Sequence, residues 1–444
     1  MSKRESVGMT AEDHLAGGAT GQVPEEKADG GPVAGGEVAG PVAGGEVAGP
    51  VASGDLAGPV AGDDMLDIDI YGFWSECRDS QPVVSIDADM IGRQMWMLTK
   101  HSDVESVLRD PDRFSSRINY ETMGPVMGTL ILGMDGEEHR KYRALVAQAF
   151  RPSALAQWEH ELIRPIITEL LDEVAPKGRA DLVEEVTSRY PVQVIAGVLG
   201  VPVEDHVQFH KWAVDISVGP EDYEVSKPAS VAMREYLEPI VEDRRANPRK
   251  DLISDIVTAE IDGERLSDEH VYGFLRLLLP AGAETTYRVM GSTLFALLTH
   301  PDVMDKVRRD PGALPGVIEE VLRWETSVTM VNRETLCPVE ISGTAIPEGA
   351  SIVCALGSSN RDRDRYSDPD LFDPDRQGPG HIAFGTGRHQ CLGMHLARLE
   401  LRVGLAAVLA RLQNLRLDPD EPEPKIEGIA FRSPPRLPVL FDPA

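Results

Sequence analysis

The chain has 444 residues, 42% of them hydrophobic, enough for one large or two medium domains with a substantial core. A formal charge of -29 repels phosphate backbones and anionic headgroups, which disfavours nucleic-acid and membrane binding. The four cysteines, Cys77, Cys337, Cys354 and Cys391, lie far apart and form no disulfide framework, the N-terminus lacks an apolar signal core, and no run of about 18 apolar residues occurs, so a cytoplasmic protein is expected.

Residues 1–65 hold 3 Lys or Arg against 11 Asp or Glu, and within them a nine-residue unit, GPVAGGEVA and its variants, starts at Gly31, Gly40, Gly49 and Gly58. Such units have almost nothing to bury, and ordering them costs more backbone entropy than burial returns. Residues 1–65 therefore read as a flexible acidic tail and 66–444 as the folded domain; a stacked solenoid is the alternative for the repeat.

From Leu66 onward the periodicity is mainly helical, with short β-like runs near Pro82–Leu98 and Val328–Val353. His139 and Arg143, four apart in EEHRKYR, share a helical face that suits a carboxylate or phosphate. Ser153 is expected to cap a helix carrying Leu155, Trp158, Leu162 and Ile166 and ending near Gly178. A second, far longer helix is expected from an N-cap at Ser267, with Asp268 and Glu269 in its first turn, to His300, where Pro301 stops it. At 1.5 Å per residue it would span roughly 50 Å, enough to floor a buried site.

Within that helix lies AGAETT, Ala281–Thr286, flanked by Pro280 and containing Gly282, where a local opening of the ladder is expected. Thr285 can bond the Ala281 carbonyl one turn back, and the bland account has Glu284 facing solvent. An acid beside an alcohol is equally a proton route to a bound oxygen species. Farther on, Glu320 and Arg323 in VIEEVLRW share a face, with Arg376 a candidate third partner should the pair be buried, and Arg333 in VNRET is a further basic site on a predicted strand.

Cys391 sits inside the string FGTGRHQCLG, directly before an amphipathic stretch. Loop NH groups and a helix N-terminus favour a thiolate, so its pKa is expected to fall until the sulfur can serve as a soft metal ligand. Phe384 would shield the sulfur, Gly385 and Gly387 permit unusual backbone angles, and Gly393 lets the backbone approach something large and flat, as a haem is. A zinc reading rests on His381, His389, Cys391 and His395, but the paired CxxC or HxxxH spacings of zinc sites are missing.

Taken together and in this order, FGTGRHQCLG, AGAETT and EEVLR resemble the haem-binding loop, the oxygen-activation motif and the Glu-x-x-Arg pair of the soluble bacterial cytochrome P450 monooxygenases, over about residues 66–440. The resemblance implies a mainly α fold with a small β-rich lobe, and a haem b between the long central helix and the Cys391 loop, with Cys391 as the thiolate ligand of the iron. It further implies propionate ligands at His139, Arg143, Arg333 and His389, haem-loop roles for Phe384 and Gly385, and a structural triad of Glu320, Arg323 and Arg376. Glu284 and Thr285 match the acid-alcohol pair of proton delivery, which the peroxide-using branch lacks. Oxygen from O2 would enter an apolar small molecule, with electrons from a separate ferredoxin and ferredoxin reductase, since the chain ends soon after the haem domain; a basic patch on the cysteine side would dock the ferredoxin. The variable substrate segments would be Arg117–Leu132, Val214–Val231 and Val328–Val331, in which Met123, Met127 and Met330 point to an adaptable apolar pocket. A haem-thiolate binding or sensing protein without turnover is the alternative.

Overall fold

The computed structural model describes residues 69–86, 92–202, 205–217, 219–261 and 263–444; the repeat tail read from residues 1–65 lies outside the described residues. The described chain is mainly helical, and its β structure is confined to small sheets. The largest sheet has five strands: Val83–Ile86 at one edge, then Met95–Leu98, Ser351–Ala355, Met330–Thr335 and Phe114–Ser115. Both predicted β-like runs contribute strands to this sheet, joined where Ser351 to Cys354 pair in parallel with Met95 to Leu98, while Val339–Ile341 and Thr344–Ile346 of the second run form a hairpin sheet of their own. Ser351–Ala355 is buried at every position, as a strand flanked on both sides should be.

The long helix runs Asp268–Thr299, and its 32 residues extend about 48 Å. Ser267 Oγ accepts from the His270 amide at 3.4 Å, as the cap reading requires, and His300 and Pro301 end the helix. It is the axis of the main hydrophobic core, packing on the helices Arg189–Leu199, His206–Ser217, Leu314–Trp324 and Met394–Arg411. Gly273 is where the helix passes the preceding loop: a Cβ there would lie 2.0 Å from the Thr129 carbonyl oxygen, so no larger residue fits.

Two helix expectations need correction. Ser153 is not the cap: the helix starts at Pro152 with Arg151 before it, and Ser153 Oγ instead accepts from Arg151 Nε at 3.2 Å. The segment is also not one regular helix, because a π-helical stretch, Glu159–Ile163, separates Pro152–Trp158 from Arg164–Val174. The wider turn rotates the buried stripe, so Leu155, Trp158, Leu162 and Ile166 are half-buried while Ile163, Ile167, Leu170, Leu171 and Val174 enter the core.

A polar lock ties the helix Leu314–Trp324 to the loop before Cys391. Arg323 forks onto Glu320 through Nε (2.8 Å) and Nη2 (2.7 Å), and its remaining donors reach the carbonyls of Asn360 (2.9 Å), Pro369 (2.7 Å) and Leu371 (3.1 Å). Arg376 Nε and the Asp373 amide both donate to Glu320 Oε1, at 3.1 and 2.9 Å. The anticipated triad is therefore assembled, and its buried charges are satisfied by backbone as well as by one another.

Candidate active site

A cavity of about 1500 Å³ lies where the central helix, the Cys391 loop and the five-stranded sheet meet. It exceeds the ~300–1,000 Å³ of a site for one drug-sized ligand, which leaves room for a flat group and a substrate together. All the expected site residues, His139, Arg143, Glu284, Thr285, Arg333, Phe384, Gly385, His389 and Cys391, are on its wall.

The Cys391 loop is shaped by its glycines. Gly385 and Gly387 have φ of +65° and +75°, and a Cβ on Gly387 would meet the Leu108 carbonyl oxygen at 2.3 Å. The Cys391 amide donates to the Phe384 carbonyl at 2.8 Å, which fixes the turn. Gly393 caps the helix Met394–Arg411, and a Cβ there would project into open space, the kind of cradle a flat ligand fills.

The expectation of a depressed Cys391 pKa is not met in the protein alone. Burial pushes the thiol up, against the Gly393 and Met394 amides and the charges of Arg143 and Arg398, which favour the thiolate. The stabilising groups are those foreseen, but desolvation outweighs them. Cys391 is nevertheless accessible, and it opens onto the cavity. Zinc finds no support: no group of three or more His, Cys, Asp or Glu among the described residues could hold a metal ion.

The nitrogen donors gather on the same wall. The His139 and His389 rings lie against one another with centroids 3.9 Å apart and planes tilted by 34°. Burial, reinforced by His389 and Arg143, pushes His139 down to about 4, and burial also lowers His389, so the two rings are neutral neighbours at pH 7. His139 Nε2 is buried without a hydrogen-bond partner among the described residues. Asp135, bonded by Ser115 Oγ and the Ser116 amide, stands 3.9 Å from His389 Nε2. Arg143 Nη2 donates to the Gln390 carbonyl.

Arg333 is 7% exposed, and its one hydrogen bond among the described residues goes to the neighbouring Asn332 carbonyl at 2.6 Å. No carboxylate lies within ion-pair distance of it among those residues, Asp135 acting on it only from farther away, and burial pulls the guanidinium below its usual range. A buried cation without a counter-ion is costly. A ligand with carboxylates would satisfy Arg333, Arg143 and His139 together, while its metal meets Cys391; haem b, with two propionates and an iron, has that donor requirement.

On the central helix, Thr285 Oγ1 donates to the Ala281 carbonyl at 2.9 Å, as expected. The expected opening is absent, since the helix is continuous through Ala281–Thr286. Gly282 serves packing instead, because a Cβ there would stand 2.9 Å from Ile195 on the adjoining helix. Glu284 does not face solvent: it is 8% exposed and its Oε1 accepts from Arg288, through Nε at 3.0 Å and through Nη2, and from the Tyr287 hydroxyl at 3.4 Å. Arg288 is anchored in turn on Ser433 Oγ at 3.1 Å. Sequence reading missed Arg288, although its i,i+4 spacing from Glu284 was a usable signal. It also missed Glu400, a buried carboxyl on the cavity wall whose Oε2 has no hydrogen-bond partner among the described residues and which burial raises well above the carboxylate range.

The rest of the wall is mostly apolar, with Asn119, Thr122, Ser217, Ser327 and Asn332 among its polar members. The predicted segments supply Met123, Val126, Met127, Val214, Val328 and Met330, whereas Val231 is exposed and takes no part. Trp74, Met95, Ile429 and Phe431 were not foreseen; Met95 lies in the predicted β-like run Pro82–Leu98, whose period does not tell which side chains meet a pocket.

The sequence profile described as Cytochrome P450 matches residues 206–311 and 313–440. The cytochrome P450 monooxygenase PikC of Streptomyces venezuelae is 36% identical over 76% of this chain and 84% of its own. The erythromycin C-12 hydroxylase of Saccharopolyspora erythraea is 37% identical over 78% of this chain and 87% of its own. A Bacillus megaterium P450 solved in complex with testosterone superposes with a TM-score of 0.76 at 32% identity, covering 84% of this chain and 100% of that one. The chain belongs to the cytochrome P450 family, the haem-thiolate monooxygenases that carry haem b and insert one oxygen atom of O2 into a small molecule.

Proposed function

We propose that residues 66–444 form a monooxygenase domain in which Cys391 binds the haem iron as thiolate and His139, Arg143, Arg333 and His389 hold the propionates. The observation that carries this reading is the buried Arg333 guanidinium, without an ion pair among the described residues, on the same cavity wall as the Cys391 thiol. When bound, the haem supplies oxygen activation, its thiolate ligand favouring O–O cleavage. Phe384 and Gly385 shape the loop that keeps the sulfur in place.

Glu284 and Thr285 manage protons from the central helix. Thr285 Oγ1 gives its proton to the Ala281 carbonyl, so its lone pairs face the cavity as acceptors, and rotation about χ1 turns it into a donor. Glu284 keeps Oε1 on Arg288, while Oε2 makes no hydrogen bond among the described residues and is the atom that exchanges protons. General acid-base groups contribute on the order of 10²–10⁴ in rate, so in Thr285→Ala product formed per electron consumed is expected to fall at least about tenfold, with hydrogen peroxide released and substrate affinity retained. Unchanged coupling would remove Thr285 from the mechanism.

The substrate we infer is a large apolar molecule, in keeping with the Met-rich wall and with relatives that hydroxylate erythromycin or bind testosterone. Electrons are assigned to a ferredoxin and its reductase, with exposed Arg109 and Arg388 beside the Cys391 loop as docking cations. No helix among the described residues is long and apolar enough to cross a membrane, which supports a cytoplasmic place of work. Spectral titration with a panel of apolar ligands, followed by electron consumption with a ferredoxin system, tests the reading. Ligand-dependent consumption with an oxygenated product supports it, and ligand binding without consumption would favour a sensor.

A further inference from the structure

Arg398 lies one turn into the helix Met394–Arg411 and is held more firmly than a surface arginine. Its Nε and Nη2 fork onto Glu319 Oε1 and Oε2 at 2.7 and 2.8 Å, and His381 Nε2 approaches Glu319 Oε2 at 3.1 Å. The guanidinium carbon stands 4.7 Å from the centre of the Phe384 ring, whose own carbonyl accepts the Cys391 amide. A fork on one side and an aromatic face on another fix the position of the positive charge. Through Phe384 the guanidinium is seated behind the loop that carries Cys391, and its charge reaches the sulfur second to that of Arg143, which is engaged by the Gln390 carbonyl. Burial alone would raise Glu319, but Arg398 and His381 hold it down at about 2, so it is a full negative charge behind the arginine.

We propose that Arg398, positioned by Glu319 and Phe384, sets the reduction potential of the bound haem by placing a fixed positive charge beside the thiolate, a positioning role that rests on Cys391 being the iron ligand. Reduction transfers one electron from the iron–sulfur partner to ferric haem and makes the thiolate centre one unit more negative. A nearby cation stabilises the reduced form, and by withdrawing density from the sulfur it acts in the same direction. Glu319 opposes it from farther away and tempers the effect. The Arg398 side chain is 34% exposed, so solvent screens part of the interaction.

The sign pattern is the test. Haem-loaded protein is titrated with mediators and no protein partner, so that docking cannot enter the result. Arg398→Gln removes the cation and leaves Glu319 unopposed, and the reduction equilibrium is expected to become about tenfold less favourable, ~59 mV lower for one electron. Glu319→Gln frees the arginine from its counter-charge and is expected to raise the potential. Arg398→Lys keeps the charge and is expected to fall between Arg398→Gln and the parent. Shifts of the same sign in Arg398→Gln and Glu319→Gln, or no shift in either, would overturn the proposal, because a merely structural pair loses the same contact whichever partner is removed. The reduced carbon-monoxide spectrum of each protein is recorded alongside: a thiolate-type band in the parent with no opposed shifts refutes the Arg398 role alone, whereas its absence in the parent refutes the ligand assignment beneath it.

Discussion

Cys391→Ala is expected to abolish substrate oxidation and the thiolate-type carbon-monoxide difference spectrum while leaving a folded protein. The side chain contributes no packing to the core: Cys391 opens onto the cavity, and the loop is held by its own backbone, the Cys391 amide on Phe384 and the close seat of Gly387 against Leu108. Alanine keeps those bonds and removes only the sulfur. On the proposed assignment, haem would still be held through Arg333, Arg143 and His139 but would lack the sulfur whose electron density favours O–O cleavage. Circular dichroism with the reduced carbon-monoxide spectrum checks both halves of the expectation, and a parent-like spectrum in the variant would place the ligand elsewhere.

Glu320→Ala is expected to cost the fold itself. Removing one partner of a buried, hydrogen-bonded charge network strands the others, typically about 3–5 kcal/mol. Here the loss falls on two arginines at once, since Arg323 and Arg376 both spend donors on Glu320, and on the Asp373 amide. A domain stable by roughly 5–15 kcal/mol has little room for that. Yield of haem-loaded protein and the thermal midpoint should both drop sharply. A variant that folds and melts like the parent would show that the lock is dispensable.

What the sequence revealed and what it withheld divide by range. The Cys391 loop and the central helix are local: glycine placement, one cap at Ser267 and one stop at Pro301 specify them, and both are where the pattern puts them. The Glu320 pair was visible as a spacing, and its burial was not, because the carbonyls that satisfy Arg323 come from Asn360, Pro369 and Leu371. The π-helical stretch Glu159–Ile163 escaped because a helical period read from the first turn carries no sign of the extra residue. The strand Phe114–Ser115 is two residues long, too short for any alternation to register. Asp135 beside His389, and Glu319 on Arg398, are pairings made only by tertiary packing. The Cys391 pKa was misjudged for the same reason: the favourable NH groups are local, whereas the burial that opposes them is a property of the whole fold.

The absorption spectrum of the purified parent protein, reduced under carbon monoxide, tests the central claim most directly. Iron bonded to the Cys391 sulfur predicts the red-shifted Soret band of a thiolate-ligated haem. A colourless protein, or a band of the imidazole-ligated type, would contradict it.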